Sequence, residues 1–393
     1  MNTVSAAIPD PRIFADARDA SPEATACYAL AEASLAAETG HRAEMLDVEL
    51  RRALTGQLNG DGAVLAATLA ASPSVAVARH LWRALDAAWR AIPEEFGAGI
   101  ALTVFAIPVV VVAGIEGVAG ETTLPGVFDD PGTLAAILLQ HGAIAGNRTV
   151  AFSNALVGSD AIDIVRLPEI LAWRQLPDAL SDGDATMVLP SRMLAPAPLA
   201  LAAGREAVYL RFVVGTALAK PGADLLADTT VGKWGLPFTQ ALSRQIGSGA
   251  VPVLALPRAP QHLLPAVQQG RAAQREVSAQ LFVSNAIRRM RAAVGEPTAV
   301  ISAHRAPDAP GGGELRLSLS SPFEPRDAEG FRCPLYMLDR PGDVAAMLGD
   351  LLSDCRVTDI RVVPGLQPDK DAVTGLPLLF KPDTIPDTGL GVH

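Results

Sequence analysis

Four polar residues lie at positions where α/β proteins usually bind their ligands: Glu116, Asp160, Arg258 and His304. Each lies at or just beyond the end of an apolar stretch that we predict to be a strand, and α/β sheets bind ligands outside the carboxyl ends of their strands. Carboxylates, a guanidinium and an imidazole can transfer protons or hold an anion if the fold brings them together. We therefore name these four as candidate ligand-binding residues. The sequence assigns no catalytic residue.

The sequence predicts no metal site and no cofactor. Its histidines form neither HxH, HxxxH nor HExxH with one another, and its cysteines lie far apart, at positions 27, 333 and 355. The glycines of GIEGVAG, residues 114–120, follow an apolar stretch as in a phosphate-binding loop. However, ETTLPGVFDDPG follows them where such a loop requires a helix. No GxxxxGKS/T motif occurs, so a standard nucleotide-binding loop is not expected.

Charge and composition narrow the range of partners. The formal net charge of −10 and the pI of about 5.1 argue against general binding to nucleic acid, because phosphates are neutralised by clustered Lys and Arg. An apolar fraction of 49% beside 19% charged residues is typical of a chain that folds. We expect a protein partner or self-association.

The expected location is the cytoplasm. The N-terminal residues MNTVSAAIPDPRIF have neither the basic nor the apolar region of a secretory signal. Three distant cysteines are not a disulfide framework, so reduced thiols fit best. The high Ala content and the use of Arg over Lys suggest a bacterial source.

The uncharged segment from Gly97 to Ile115, GAGIALTVFAIPVVVVAGI, has two interpretations. It is just long enough to cross a membrane as a helix. Pro108 at its middle and the β-branched run 109–112 favour a buried strand instead, or two short strands that meet near the proline. We predict the strand. Association with a membrane is expected only if this segment is a transmembrane helix.

The chain divides by composition into six parts. A helical region precedes a mixed α/β sheet, partly parallel and with crossover helices, and a small α+β unit follows. The predicted parts are a helical region 1–95, a first α/β segment 96–176, a Pro/Ala/Asp-rich boundary 177–205, a second α/β segment 206–295, an α+β unit 296–365 and an irregular tail 366–393.

Strand, helix and strand follow one another three times after residue 96, which predicts parallel strands joined by crossovers. The first two passages lie about 100 residues apart, so an internal duplication is a hypothesis. The third belongs to the α+β unit, where TAVISAH and ELRLSLSS also predict an antiparallel pair. A long helix before it has a row of arginines that we expect to pair with nearby carboxylates or face water.

Three or four helices are expected before residue 95. We predict that the first two end at Gly40 and Gly56, since glycine lets a chain leave a helix. SPSVAVARHLWRALDAAWRAIP predicts an amphipathic helix, with Ser72 or Ser74 as its N-cap.

Two classes of function remain open. The first is a non-catalytic intracellular bacterial accessory or assembly protein, because the chain is poor in Lys, His, Cys and Tyr. The second is a small-molecule-binding protein or enzyme of α/β type, with its site at the carboxyl ends of strands. Candidate residues gathered in one pocket would favour the second class, whereas scattered candidates and an exposed apolar surface would favour the first.

Overall fold

A computed structural model describes most of the chain and confirms a mixed α/β protein. The residues that it describes are 8–12, 14, 20–91, 101–113, 122–144, 150–174, 189, 191–201, 207–219, 230–247, 251–293, 295–309, 311–321, 328–368 and 370. Most of the predicted boundary 177–205 and of the predicted tail 366–393 lies outside these residues.

Helices and strands alternate along the described residues. The helices are α1 Pro22–Leu35, α2 Gly40–Leu58, α3 Gly62–Ala70, α4 Val75–Ala91, α5 Pro131–Gln140, α6 Leu167–Arg174, α7 Ser191–Leu194, α8 Val231–Ile246, α9 Leu263–Ala293 and α10 Pro341–Asp354. The strands are β1 Ala101–Ala113, β2 Thr122–Leu124, β3 Val150–Val157, β4 Leu199–Leu201, β5 Ala207–Ala219, β6 Val253–Pro257, β7 Gln261–His262, β8 Thr298–Arg305, β9 Gly313–Ser320, β10 Glu329–Pro334 and β11 Asp359–Gln367.

The chain forms two compact units. We call the one made of residues 20–70 and 80–274 the larger unit, and the one made of residues 1–19, 71–79 and 275–393 the smaller unit. The division falls inside α4 and inside α9. The finer boundaries expected from composition stay predictions.

The helix ends predicted at two glycines are wrong. Helix α1 ends at Leu35, and Gly40 instead begins α2, because the hydroxyl of Thr39 accepts the N–H of Arg42 and caps that helix. Gly56 lies inside α2, which continues to Leu58. The predicted cap of α4 is Ser74, whose hydroxyl accepts the N–H of Val77.

The main sheet of the larger unit has the strand order β3-β5-β1-β6, and all of its neighbouring strands are antiparallel. The prediction of a partly parallel sheet is therefore wrong for this sheet, although β8 and β11 of the smaller unit are parallel neighbours. The two strands of the first strand–helix–strand passage, β1 and β3, run in the same direction, but β5 lies between them. The two strands of the second passage, β5 and β6, also run in the same direction, and β1 lies between them. The passages thus interleave as a split β-α-β-β-α-β arrangement.

Helices cover both faces of this sheet. On one face, alternate residues of β1 from Phe105 to Ala113 pack with α5 and α8 in a single apolar core. On the other, Gly270 of α9 lies so close to the sheet that an added Cβ would be 3.1 Å from Pro108 Cβ and 2.7 Å from Leu210 Cδ1. A strand buried on both faces explains the uninterrupted apolar sequence of β1.

The predicted strand within residues 97–115 is confirmed as one continuous strand, β1. Pro108 lies near the centre of β1. Its carbonyl accepts the N–H of Arg258, so the nitrogen of Pro108 faces the same edge of β1, at the gap between the end of β6 and the start of β7. Pro108 has no N–H to return to Arg258, and the pairing of β1 with β6 ends one residue pair earlier, at Val109 and Pro257. Among the described residues, no helix is long and apolar enough to cross a membrane.

The sheet of the smaller unit has the strand order β10-β9-β8-β11. The predicted hairpin is confirmed, since β8 and β9 are antiparallel from Thr298–Ser320 to Arg305–Gly313. Strand β11 returns beside β8 and parallel to it, after α10. One face of the sheet packs its leucines and alanines against α10 and the C-terminal half of α9. As expected, arginines of α9 pair with carboxylates: Arg275 with Asp339, Arg289 with Glu329 and Arg291 with Glu296.

Candidate functional site

The structure separates the candidate residues of the larger unit. Asp160 lies exposed in a single 3₁₀ turn just after β3, and Arg258 follows β6 directly. Strands β3 and β6 are at opposite ends of the strand order, three strand spacings or about 14 Å apart. Glu116 lies outside the described residues. The larger unit therefore does not bring Asp160 and Arg258 into one site.

His304 lies in the smaller unit and is fully buried. Its Nδ1 is 2.7 Å from the carbonyl oxygen of Pro368, and its Nε2 is 2.7 Å from Oγ of Ser302. A carbonyl can only accept, so Nδ1 carries the proton, and Nε2 of the neutral ring accepts the hydroxyl proton of Ser302. The two side chains share a face of β8 because they are two residues apart.

Ser302, His304 and the carbonyl of Pro368 are connected in the same order as a serine nucleophile, its base and the group that orients the base. Ser302 and His304 both have 0% exposure, however, so no substrate atom reaches the hydroxyl in this conformation. The arrangement instead gives hydrogen-bond partners to two buried side chains, one of them through the carbonyl of the exposed Pro368. We interpret it as a structural pair.

A chain of ion pairs crosses the same face of the sheet. Nε of Arg316 donates to Glu314 Oε1 at 2.5 Å, and Nε of Arg332 donates to Glu314 Oε2 at 2.7 Å. The outer nitrogen of Arg332 then donates to Asp308. The pKa of Arg332 is raised, chiefly by its hydrogen bond to Glu314, and that of Asp308 is lowered, chiefly by its hydrogen bond from Arg332. Both carboxylate oxygens of Glu314 therefore already accept N–H groups from guanidinium groups, which leaves this side chain poorly placed to bind a ligand.

Two serines continue this polar row along β9. Ser318 and Ser320 are 1% exposed, and their hydroxyls have no hydrogen-bond partner among the described residues. A buried hydroxyl without a partner costs about 1–3 kcal/mol. This row was not among the candidates predicted from the sequence. Its signal is the alternation of Glu314, Arg316, Ser318 and Ser320 with leucines, which is typical of a strand with one polar face.

Three arginines hold the loop that follows β10. Arg12 donates to the carbonyls of Tyr336 and Met337, Arg79 to that of Leu338, and Arg275 to the carboxylate of Asp339. Carbonyls and carboxylates that already accept guanidinium N–H groups are poorly placed to bind a ligand. This cluster therefore orders the loop between β10 and α10.

Helix α2 in the larger unit has an unusual outer side. Leu50, Leu54 and Leu58 are buried. On the side opposite to them Met45 is 55% exposed, and Val48, one turn away, is 42% exposed. Large apolar side chains that recur at helical spacing usually face a core or a partner.

Among the described residues, no three His, Cys, Asp or Glu side chains are grouped so that they could hold a metal ion. No protein-family profile, curated protein or solved structure matches this chain.

Proposed function

We propose that this protein is a non-catalytic accessory or assembly protein, which binds another macromolecule through the outer side of α2. The observation that carries the proposal is the exposure of Met45 and Val48, one turn apart on a helix whose opposite side is buried. Full burial of an exposed methionine or valine contributes roughly 1.5–3 kcal/mol, and covering the half of each side chain that is still exposed would contribute about half of that.

The polar candidates support binding over catalysis. Asp160 and Arg258 follow strands at opposite ends of the strand order, and both imidazole nitrogens of His304 already have a hydrogen-bond partner. A strand added to β6 is also disfavoured. The outward N–H of Ala255 donates to Ser243 Oγ, and Pro257 has no N–H.

The proposal retains what composition suggested about the setting. A helical region before residue 95 would supply the binding surface, in a bacterial protein of the cytoplasm. Support for reduced thiols comes from Cys27 and Cys333, which are buried and free.

A photo-crosslinking residue at position 45 tests the proposed surface in living cells. The control places the same residue at Leu236, an apolar side chain of α8 that is 66% exposed. We expect a discrete adduct from position 45 and none from position 236. No adduct from position 45, or the same adducts from both positions, would contradict the proposed surface.

A second candidate is a small-molecule-binding protein, and one observation favours it. The hydroxyls of Ser318 and Ser320, which lack a partner within the described part of the chain, lie on the same face as the ion pairs of Glu314. A polar ligand that enters the sheet there would satisfy both hydroxyls. A thermal-shift screen of polar metabolites tests this: a hit should lose its effect in Ser318→Ala and keep it in the surface variant Glu44→Arg. The absence of such a hit would leave the accessory role as the proposal.

A further inference from the structure

We infer that the macromolecule that docks on α2 is a second copy of this chain, bound antiparallel across a twofold axis. This inference rests on the proposed function, because it names the occupant of the same helix side. The seam would consist of Met45, Glu49, Arg52 and Gly56.

These four residues form one stripe. They are spaced by four, three and four residues, so at about 100° per residue they lie within about 60° of one another. The stripe is centred opposite the buried side of α2, which is formed by Leu50, Leu54 and Leu58. All four residues are exposed. Alternating steps of four and three are the spacing by which one helix packs against another.

Gly56 has no explanation among the described residues of its own chain. It lies inside α2, and an added Cβ would meet nothing within 4 Å. Its φ is not in the left-handed region, where glycine would be favoured. Glycine inside a helix costs about 1 kcal/mol relative to alanine. The gap that it leaves in the side-chain surface would accept a large side chain from another helix.

A twofold axis midway between residues 50 and 51 makes the stripe complementary to itself. Met45 of each copy then faces the gap at Gly56 of the other. Glu49 faces Arg52 of the other copy, and this pair occurs twice because the interface is isologous. Within the described part of the chain, the side chains of Glu49 and Arg52 make neither a hydrogen bond nor an ion pair, so both charges remain available to a partner.

The seam is short, which sets the expected affinity. From residue 45 to residue 56 the helix rises about 17 Å. Such a contact buries less than the roughly 1,200 Å² of a standard stable interface, so the dimer should be weak and concentration-dependent. A weak dimer is observable only near its dissociation constant.

Sedimentation equilibrium of the full chain tests the inference, from about 1 to about 300 µM because short interfaces bind weakly. Gly56→Gln fills the gap, while Glu49→Arg and Arg52→Glu each place like charges opposite one another. Each change should weaken dimerisation at least about tenfold, since like charges and lost packing both oppose a contact. Circular dichroism should show an unchanged fold, because these residues face solvent in one copy.

Two rescues identify the geometry. The double variant Glu49→Arg/Arg52→Glu restores opposite charges and should dimerise within about threefold of the parent, as pairwise coupling requires. Mixing the two single variants should give a heterodimer, since one copy then brings two positive charges to the seam and the other brings two negative charges. The control Glu44→Arg changes an exposed carboxylate of α2 outside the stripe and should leave dimerisation unchanged.

The outcomes separate the inference from the proposed function. A parent that stays monomeric at every concentration overturns the second copy as occupant, while a crosslink from position 45 to a different protein would keep the binding surface. A dimer that is insensitive to Gly56→Gln and to both charge changes uses another surface and also overturns the inference. Failure of dimerisation together with failure of crosslinking would reject both proposals.

Discussion

Gly215 provides the sharpest test of the main sheet. It pairs with Phe105 of β1 on one side and with Phe152 of β3 on the other. The two rings meet above it edge to face, with centroids 5.5 Å apart and an interplanar angle of 82°. A Cβ at position 215 would be 2.5 Å from Phe105 Cζ and 2.7 Å from Phe152 Cε1. Ordinary contact begins at 3.4 Å, so Gly215→Ala requires a displacement of about 0.9 Å.

Two opposing terms give the size of the effect. Overpacking of a core costs about 1–3 kcal/mol. Replacing glycine in a strand recovers about 0.5–1 kcal/mol through the unfolded state. We expect Gly215→Ala to lower the free energy of unfolding by about 1–2 kcal/mol. With a slope of about 2 kcal/mol per molar urea, the unfolding midpoint falls by about 0.5–1 M.

Tryptophan fluorescence during urea unfolding is the assay, because all four tryptophans lie between residues 80 and 274, in the larger unit. The matched control is Gly232→Ala in α8 of the same unit, where an added Cβ meets nothing within 4 Å. Its midpoint should stay constant or rise. Phe152→Leu in the Gly215→Ala background should cost less than it does alone, since the shorter side chain relieves the clash. A midpoint for Gly215→Ala at or above that of the parent would refute this account of the sheet.

Three further predictions concern the polar groups. Ser302→Ala should destabilise the protein by about 1–3 kcal/mol, because it removes the hydroxyl that is hydrogen-bonded to the buried Nε2 of His304. Ser318→Ala should be neutral or stabilising, because that hydroxyl has no partner among the described residues to lose. Equal effects of the two changes in thermal unfolding would contradict this. Burial raises the pKa of Cys333 to about 12, so the folded protein holds this proton more tightly than the unfolded chain, and the free energy of unfolding should fall as pH rises from about 9 towards 12. Cys333→Ala should make that decline shallower, and Cys355, which is less buried, should react with iodoacetamide first. Burial tends to raise the pKa of Asp47, but hydrogen bonds from Ser34 and His80 outweigh it and hold the pKa below 3.8. The ionised Asp47 therefore stabilises the folded protein above the unfolded pKa of about 3.9, and this stability is lost as the pH falls through the lower folded pKa. Asp47→Asn should make the free energy of unfolding depend less on pH between about pH 2 and 5, measured by urea unfolding at each pH.

Local patterns in the sequence determined the kind of each element. Alternation between apolar and polar residues predicted the β8–β9 hairpin, and helical spacing predicted α9 and α10, because these signals depend only on which side of an element is buried. The uncharged apolar segment from Gly97 to Ile115 predicted a buried strand, because Pro108 and the β-branched run 109–112 favour a strand over a membrane helix.

Only the tertiary structure decided which strands are neighbours and which polar groups meet. Strand β5 lies between β1 and β3 through pairs that are 94–118 residues apart with β1 and 55–67 residues apart with β3, and no local pattern encodes such a register. The role of Gly40 depended on the cap that Thr39 provides, and Glu314 acquired its ion pair with Arg332 through the pairing of β9 with β10. Sequence periodicity reports which side of an element avoids water, whereas the partner of that side is chosen by contacts between distant parts of the chain.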